Sequence, residues 1–458
     1  ALRLPEQETG RADALRLPKQ EGREPDIRKT IVHRGTIAKI SNESDHLIVS
    51  VRLRAPQSDE TIFSTSLGKS ASDTLWALEH DFYEASTTSL FRSLHQFLSA
   101  PAHRKALILG QRSPEVDTTV TLRGDYGEFN PLVLGAMQAK DLFLVVGPPG
   151  TGKTSFGLLN ILKEQLLQGA SILLMAYTNR AVDEICSKLV EEGIDFLRIG
   201  SELSCEKVYR DYLLENKSRQ CSTVGDIRQL IAETSVFVGT TTAVTSAAGS
   251  LFRLKTFDLA IIDEASQILE PQLLGLLGAT DGVGVAIKKF ILIGDHKQLP
   301  AVVQQSEEES KVTEQCLLDI GLTNCRNSLF ERLYNTILSP YREEMKGDCR
   351  EVRKGLFFLS RQGRMHGDIA DFPNHAFYEG KLGIAGLPHQ LEEIKESRLL
   401  FIAARHTSDD PLNEEGGDKT NHIEAHVIAR EAVRAVQEAG DDFDPLKTVG
   451  VIVPYRSQ

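Results

Sequence analysis

The stretch GPPGTGKTS (147–155) has the residue types and the spacing of a loop that binds phosphate groups. Its glycines let the backbone curl so that successive N–H groups point at a phosphate, and the following helix adds the partial positive charge of its N-terminus. Lys153 is placed to reach the β- and γ-phosphates of a nucleotide, and the Thr154 hydroxyl is placed to bind Mg²⁺. The predicted phosphate-binding residues are Gly147, Pro148, Pro149, Gly150, Thr151, Gly152, Lys153 and Thr154.

An acidic pair in DEASQ (263–267) supplies the groups that phosphate transfer needs next. Asp263 is predicted to hold the Mg²⁺ together with Thr154. Glu264 is predicted to act as the general base toward the attacking water. An ordinary helix N-cap is the alternative, and the phosphate loop upstream favours the catalytic interpretation.

A third polar cluster, GDHKQLP (294–300), follows the apolar run FILI. The amide of Gln298 is predicted to contact both the γ-phosphate and the attacking water, and so to sense whether the phosphate is present. Asp295 and Lys297 are predicted to hold this loop in place. A charged surface turn is the alternative when GDHKQLP is taken alone.

Short apolar runs, separated by helical stretches, position these clusters. This pattern predicts an α/β fold with a parallel sheet covered on both faces, in which ligands bind beyond the carboxyl ends of the strands. The predicted strands are LFLVV (142–146), ILLMAY (172–177), VFVGTT (236–241), LAIID (259–263) and FILIG (290–294). A second α/β unit is predicted from LFFLS (356–360), RLLFIAA (398–404) and VGVIVPY (449–455).

Bulk composition limits the class of protein further. The 458 residues predict two to four domains, and the 52 basic against 64 acidic residues give a net charge of −12, which argues against a general nucleic-acid binder. The six cysteines form no C-x-x-C pair, which predicts free thiols, a cytoplasmic location and no structural zinc. The chain starts at Ala1 and stops at Gln458 just after a predicted strand, so we expect both ends to be cuts in a longer protein.

The series of motifs resembles that of the superfamily 1 helicases, over about residues 126–458. Within that superfamily the resemblance is to the branch of the up-frameshift helicase, senataxin and the nuclease-helicase of Okazaki processing. The motifs that carry it are GPPGTGKT, AYTNRAVDEI (176–185), VGTTTAV (238–244), DEASQ, GDHKQLPAVV, LSRQGRMH (359–366), DFPNHAFYEGKL, NHIEAHVI and VGVIVPYRSQ.

The resemblance implies a fold with tandem RecA-like P-loop domains, the second incomplete, preceded by a small β-barrel and a helical stalk. The predicted segments are a polar arm or linker (1–26), an accessory β-barrel (27–70), a helical stalk (71–125), a first RecA-like domain (126–339) and a second RecA-like domain (340–458).

The resemblance also implies further site residues. Arg364 matches the arginine that reaches from the second domain to the γ-phosphate, where it neutralises developing charge. The alternative for Arg364 is a surface arginine that pairs with a nearby carboxylate. Asn130 and Glu424 match family residues that lie near the nucleotide. The implied cofactors are ATP and Mg²⁺.

Single-stranded DNA or RNA is the partner that the resemblance implies, with the protein acting as a monomer. Positions that match strand-contacting residues are Thr178, Asn179, Thr240 and Thr241. The alternative for each threonine is a helix cap. In the accessory barrel Lys39, Arg52 and Arg54 are candidates for phosphate contacts, and a solvated strand face is their alternative.

The sequence departs from the family pattern in three places. Val133 stands where the family has an adenine-reading glutamine, with Gln138 out of register, and the segment Gln362–His366 lacks the family's aromatic residue, so we expect weak discrimination among purine nucleotides. The family's later motifs do not occur before Gln458. A chain that ended there is expected to bind ATP but to turn over poorly.

The resulting interpretation is an ATP-dependent single-strand translocase or helicase, with 5′→3′ direction taken from the family branch alone. Two alternatives remain at this point: an NTP-switched clamp that binds nucleic acid without unwinding it, and a P-loop ATPase unrelated to nucleic acid.

Overall fold

The computed structural model describes residues 2–5, 35–43, 46–53, 85–303, 305–338, 355–391, 399–403 and 420–455. By its internal contacts the chain divides into two compact units, 1–105 with 271–279 and 106–270 with 280–458. Among the helices in the described ranges, none combines the length and apolar character needed to cross a membrane. All the residues predicted to bind nucleotide, metal or a nucleic-acid strand from the motifs lie in the larger unit.

The described strands are β1 (Leu2–Pro5), β2 (Gly35–Glu43), β3 (His46–Leu53), β4 (Leu142–Val146), β5 (Ile172–Ala176), β6 (Leu197–Ile199), β7 (Val236–Thr240), β8 (Phe257–Asp263), β9 (Ile287–Gly294), β10 (Leu356–Phe358), β11 (Arg361–Gln362) and β12 (Gly383–Ile384). The described α-helices are α1 (Ala85–Leu98), α2 (Ala102–Ile108), α3 (Asn130–Gln138), α4 (Leu159–Leu167), α5 (Asn179–Glu191), α6 (Leu214–Ser218), α7 (Val224–Glu233), α8 (Thr241–Leu254), α9 (Glu270–Leu277), α10 (Gln315–Leu318), α11 (Leu329–Leu338), α12 (Gly367–Phe377), α13 (Pro388–Leu391) and α14 (His422–Ala439).

The smaller unit contains an antiparallel sheet with the strand order β1-β3-β2. Its first strand, in which Leu2 pairs with Val49, lies inside the segment that the sequence predicted to be a polar arm. The described residues form three strands and no closed barrel, so the accessory barrel stays a prediction. Within this unit Gly275 donates its N–H to the Ser93 hydroxyl at 2.7 Å, and a Cβ on Gly275 would lie 2.7 Å from Ser93. A glycine is therefore required for the helices to pack this closely.

The predicted helical stalk (71–125) is helical only in part. Within the described residues from 85 onward, the helices α1 and α2 account for it and end at Ile108. From there to the short 3-10 turn at Gly127 the chain is irregular, and Val116 makes an isolated antiparallel bridge with Ala139.

The larger unit is built on a seven-stranded sheet with the order β10-β4-β9-β8-β5-β7-β6. Every pairing in it is parallel, and the residues of its interior strands β4 and β5 are all buried. Burial on both faces explains why these strands have uninterrupted apolar sequences rather than alternating ones. The α/β fold class and the five predicted strands are confirmed, because each predicted run overlaps one observed strand.

The sequence assigned LFFLS (356–360) to a second sheet, and this assignment is wrong. The strand β10 pairs with β4, so that Leu356 lies beside Leu144 and Phe358 beside Val146. Because the pairing is parallel, the residues after Phe358 leave the sheet at the same edge as the phosphate loop after Val146. The sequence showed a strand here but could not show which sheet receives it.

Within the described residues after Ser360, the only strand pairing is the short parallel one between β11 and β12. The predicted strand at 398–404 is described over 399–403 and the one at 449–455 is described in full, and neither forms a strand there. The helices α12, α13 and α14 account for most of the regular structure in this part of the chain.

Candidate active site

The phosphate loop leaves the sheet at the end of β4 and curls as its glycines predict. Gly150 and Gly152 have φ angles of +77° and +75°, a left-handed region that disfavours residues with a Cβ. The Gly147 N–H donates to the Gly294 carbonyl at 3.1 Å, and the Thr151 hydroxyl donates to the Pro148 carbonyl at 2.8 Å. The loop is therefore held in its curled form by its own hydrogen bonds and by the neighbouring strand.

Lys153 begins a π-helical turn (Lys153–Leu158) that continues into α4. Gly157 donates its N–H to the Gly152 carbonyl five residues back, at 2.9 Å, which widens the first turn of the helix. The lysine side chain is buried, and its Nζ lies 3.5 Å from an Oε1 of Glu264. The cation predicted to bind phosphate thus lies beside the predicted general base.

Asp263, the last residue of β8, is 2% exposed. Its Oδ2 accepts the Thr154 hydroxyl at 2.5 Å, so the two predicted Mg²⁺ ligands are in direct contact although they are far apart in sequence. Burial raises the pKa of Asp263 to about 6, and the Thr154 hydrogen bond opposes that rise. Carboxylate and hydroxyl oxygens are the ligands that Mg²⁺ prefers, so this pair fits the ion.

No group of three His, Cys, Asp or Glu side chains suited to hold a metal occurs among the described residues. A Mg²⁺ ion held by Asp263 and Thr154 would take further oxygen ligands from phosphate and water, as Mg²⁺ commonly does beside nucleotides.

Glu264 has an unusual backbone, with φ +51° and ψ +37°. Such a conformation costs energy for a residue with a Cβ and is concentrated at functional sites. Its N–H donates to Asp263 Oδ1 at 2.9 Å, and its Oε2 accepts the Gln267 amide at 3.3 Å. Its carboxylate is partly accessible, and its Oε1 lies 3.5 Å from the Lys153 Nζ.

Asp295 holds the GDHKQLP loop, as predicted, and is 1% exposed. Its Oδ1 accepts the Lys297 backbone N–H at 3.0 Å, and its Oδ2 accepts the Gln298 Nε2 at 2.9 Å and the Tyr378 hydroxyl at 2.7 Å. Its own N–H donates to the Ser266 hydroxyl at 3.1 Å. Lys297 contributes through its backbone, because its side chain is exposed.

The turn that carries Arg364 lies directly against the phosphate loop. Gly363 donates its N–H to the Gly150 carbonyl at 2.8 Å. A Cβ on Gly150 would lie 2.5 Å from the Cβ of Arg364, so Gly150 leaves no room for a side chain. The Arg364 side chain itself is exposed. The predicted arginine therefore belongs to the same compact unit as the loop and is next to it.

Two buried amides shape the Arg364 turn. The Oε1 of Gln362 accepts the N–H groups of Arg364 and Met365 at 2.8 and 2.7 Å. Gln390, 2% exposed, donates its Nε2 to the carbonyls of Gln362 and Met365 at 2.9 and 2.8 Å. Sequence reasoning missed Gln390, because it lies outside every recognisable motif and only the fold brings it to the turn.

The residues predicted near the base are engaged elsewhere. Asn130 makes local hydrogen bonds, accepting the Tyr126 N–H and donating to Asp125, each at 2.8 Å. Val133 is completely buried in the apolar core, and the Gln138 amide donates to the Val120 carbonyl at 3.2 Å. Glu424 is exposed in the first turn of α14, and none of its described contacts connects it with the phosphate loop.

An aromatic pair does border the phosphate loop, and sequence reasoning missed it. The rings of Phe129 and Phe156 stack with centroids 5.6 Å apart. A Cβ on Gly152 would lie 2.8 Å from Phe156, so this ring rests against the loop while the residue stays 56% exposed. A large exposed aromatic side chain beside a phosphate loop offers a face on which a base can stack.

The predicted strand-contacting residues lie at the carboxyl ends of β5 and β7. The hydroxyls of Thr178 and Thr240 cap α5 and α8, accepting backbone N–H groups at 3.2 and 3.1 Å. Asn179 is exposed, and Thr241 is 3% exposed. The helix-cap alternative is thus observed for both capping threonines, and a strand-contacting role stays a prediction. The side chains of Lys39, Arg52 and Arg54 lie outside the described residues.

The loop, the acid pair, the Gln298 loop and the Arg364 turn together define a P-loop nucleotide hydrolase. Two protein-family models, each described as an AAA domain, match the chain, the first over residues 131–224 and 214–306 and the second over 325–458. The two matches follow one another along the chain, which supports a tandem arrangement of domains.

Sequence similarity to curated proteins narrows the class of protein to which this chain belongs. The chain is 28% identical over 461 residues to the DNA replication ATP-dependent helicase/nuclease JHS1 of Arabidopsis thaliana, covering 93% of this chain and 31% of that protein. It is 32% identical over 278 residues to the DNA replication ATP-dependent helicase/nuclease DNA2 of Gallus gallus, covering 59% of this chain and 24% of that protein. It is 27% identical over 430 residues to the DNA polymerase alpha-associated DNA helicase A of Schizosaccharomyces pombe, covering 79% of this chain and 58% of that protein.

The chain belongs to the superfamily 1 helicases, in the branch that contains the nuclease-helicases, and this is a family of ATP-hydrolysing enzymes. The chain spans less than a third of the length of the Arabidopsis and chicken relatives and 58% of the yeast one.

The fit of the arginine turn against the loop predicts the effect of Gly150→Ala. An alanine at position 150 is strained by the left-handed backbone, and its methyl group would collide with the Cβ of Arg364, so the arginine turn must shift. We expect ATP hydrolysis to fall roughly 100-fold, because displacements of about 1 Å at a reacting site have effects of that size. Steady-state hydrolysis of ATP measures it.

Gly193→Ala is the matched control for that substitution. Gly193 has a φ of +65°, and a Cβ there would meet none of the described atoms within 4 Å. It should lose similar stability to backbone strain and keep its activity. Equal loss of activity in both variants would contradict the account of the arginine turn.

The partial burial of His296 predicts a dependence of stability on pH. Its ring packs against Tyr334 with centroids 4.2 Å apart, and burial, followed by the charge of Lys297, lowers its pKa from 6.5 to about 4. The unfolded chain therefore binds a proton more readily than the folded one. The contribution of His296 to stability is complete above the unfolded pKa of 6.5 and is lost as the pH falls toward 4.

Replacing His296 with phenylalanine keeps a ring against Tyr334 and removes the titrating group. Between about pH 7 and about pH 4.5, the free energy of unfolding of the unmodified protein should fall by about 2 kcal/mol more than that of His296→Phe. Chemical denaturation at the two pH values measures the difference. Parallel losses in the two proteins would show that His296 is not buried in its neutral form.

Proposed function

We propose that this chain is the ATP-hydrolysing motor of a helicase that moves along single-stranded DNA in the 5′→3′ direction. The observation that carries the proposal is the placement of Arg364 against Gly150, because an arginine there can neutralise charge on a departing phosphate. The names of the relatives, two of them DNA replication helicase/nucleases, support DNA as the nucleic acid. The direction follows from the family branch alone.

The chain's own residues divide the work of hydrolysis among themselves. The loop N–H groups and Lys153 bind and orient the β- and γ-phosphates, while Thr154 and Asp263 hold Mg²⁺, which supplies positive charge to the phosphate oxygens when bound. Glu264 accepts a proton from the attacking water. Gln298 orients that water, and Arg364 stabilises charge on the transferred phosphate.

Movement along the strand requires the nucleotide state to change the protein's grip on the strand. Thr178, Asn179, Thr240 and Thr241 lie at the ends of strands in the same sheet that carries the loop. Backbone contacts of this kind use hydroxyl and amide groups rather than net positive charge, so they are compatible with the acidic composition. Changes at Gln298 and Arg364 on hydrolysis would reach this edge through the sheet.

The experiment that tests this function measures ATP hydrolysis by the full-length protein with single-stranded DNA, with single-stranded RNA and with neither. Hydrolysis should rise with single-stranded DNA. Glu264→Gln should lower the stimulated kcat by about 100-fold or more while ATP still binds, because it removes the base and keeps the shape. Glu192→Gln is the control, since Glu192 pairs with Lys163 at 2.7 Å on a surface away from the site.

A tailed DNA duplex completes the assay. Strand separation coupled to hydrolysis supports the helicase function. Stimulation without separation would instead indicate an NTP-switched clamp, and hydrolysis that ignores every strand would indicate a P-loop ATPase unrelated to nucleic acid.

The base of the nucleotide is proposed to stack on Phe156 rather than to be read by hydrogen bonds. Val133 is apolar and buried in the core, the Gln138 Nε2 donates to the Val120 carbonyl, and every purine offers the same flat face to an aromatic ring. We therefore expect kcat/KM for ATP and GTP to agree within about tenfold. Phe156→Ala should raise KM for both nucleotides by roughly tenfold, since stacking of a base contributes about 1–3 kcal/mol.

Phe91→Ala is the control for that substitution, because Phe91 is 69% exposed and lies in the smaller unit. A strong preference for ATP in the unmodified protein would contradict the absence of base reading. An unchanged KM in Phe156→Ala would contradict the stacking site.

A further inference from the structure

The Oδ2 atom of Asp295 accepts two hydrogen bonds from side chains that are far apart in sequence. Gln298 donates its Nε2 to this atom at 2.9 Å, and Tyr378 donates its hydroxyl at 2.7 Å. Gln298 thus faces Asp295 with its Nε2, the donor end of the amide, rather than with its Oε1. The carbonyl Oε1 of Gln298 is consequently turned away from Asp295.

Tyr378 is held firmly in its place. It follows the last residue of α12, and its N–H donates to the Asn374 carbonyl at 3.0 Å. Glu379 and Gly380 then adopt φ angles of +57° and +72°, and Asn374 Oδ1 accepts the Leu382 N–H at 2.8 Å. The reversal of the chain after α12 thus fixes the phenol that reaches Asp295.

The same helix begins beside the arginine turn. The side chain of His366 caps α12 by accepting the Asp368 N–H at 3.2 Å, and Arg364 lies two residues earlier. The helix α12 therefore connects the turn that touches Gly150 to the phenol that touches Asp295. A cavity of about 90 Å³ lies beside this contact and is lined in part by Asp295, Tyr378 and Lys381.

We propose that Tyr378 is a positioning residue for hydrolysis, which fixes Gln298 through Asp295 so that the Gln298 carbonyl faces the attacking water. The inference rests on the proposed role of Gln298 in orienting that water. Burial raises the pKa of Tyr378, so the phenol remains a hydrogen-bond donor at neutral pH. A displacement of α12 and of the Arg364 turn that precedes it is thereby communicated to Gln298.

The test is a double-mutant cycle of Tyr378→Phe and Gln298→Ala, measured as strand-stimulated ATP hydrolysis by the full-length protein. Tyr378→Phe should lower kcat about tenfold with KM for ATP unchanged, as expected when a hydrogen bond to a carboxylate is lost. In the Gln298→Ala background the same change should have no further effect, because Tyr378 acts through Gln298.

Tyr126→Phe is the matched control. Its phenol donates to the buried carboxylate of Glu164 at 2.8 Å. The same carboxylate also accepts the N–H groups of Arg123 and Gly124 at 2.8 and 3.0 Å. The two tyrosine variants should lose similar thermal stability, and only Tyr378→Phe should lose kcat. Equal losses of kcat would reduce Tyr378 to a structural role.

The outcomes separate the two levels of the argument. A Gln298→Ala protein with normal kcat would overturn the proposed role of Gln298 in hydrolysis. A slow Gln298→Ala protein, combined with a normal Tyr378→Phe protein or with multiplied losses in the double variant, would overturn the role of Tyr378 alone.

Discussion

One backbone hydrogen bond, from the Gly363 N–H to the Gly150 carbonyl, joins the phosphate loop to the segment that carries Arg364. The two segments lie so close together that neither could move away without breaking this hydrogen bond. Gly150 must lack a side chain for the bond to form. The loop needs a left-handed residue at this position in any case. Glycine therefore meets two demands at once, the curl around phosphate and the contact with the arginine turn.

Two buried carboxylates organise the rest of the site, and each follows or ends a strand of the same sheet. Asp263 ends β8 and Asp295 follows β9. Removing a carboxylate from water is costly unless hydrogen bonds replace the lost solvent. Thr154 and the Glu264 N–H supply such bonds to Asp263, while Lys297, Gln298 and Tyr378 supply them to Asp295. Each carboxylate thereby fixes the groups that would face a nucleotide.

The parallel sheet explains why these groups meet. In a parallel sheet all strands end at one edge, so polar residues that follow β4, β8 and β9 must converge. The arrival of β10 beside β4 brings the Arg364 turn to the same edge. A topology that placed β10 in another sheet would separate the arginine from the loop.

The sequence predicted those features that depend on local pattern. The central strands are continuous apolar runs, and the loop glycines and the acid pair have fixed spacing, so both could be located without a structure. The position of β10 in the sheet could not be predicted, because the residues of a strand do not indicate which other strand it pairs with. Gln390 and Tyr378 were missed for a related reason, since their partners lie in segments that only the fold brings together. Thr178 and Thr240 were singled out by the sequence, but a threonine there suits a helix cap as well as a contact to a nucleic-acid strand, and the structure shows the cap.

The most direct test of the account is a crystal structure of the full-length protein with single-stranded DNA, Mg²⁺ and ADP–aluminium fluoride, which mimics the transferring phosphate. The measured quantity is the distance from the Arg364 guanidinium to the fluoride ligands. We expect a hydrogen-bonded contact of about 3 Å, made while the Gly363 N–H still donates to the Gly150 carbonyl. An Arg364 side chain that remains in solvent with this complex bound would contradict it.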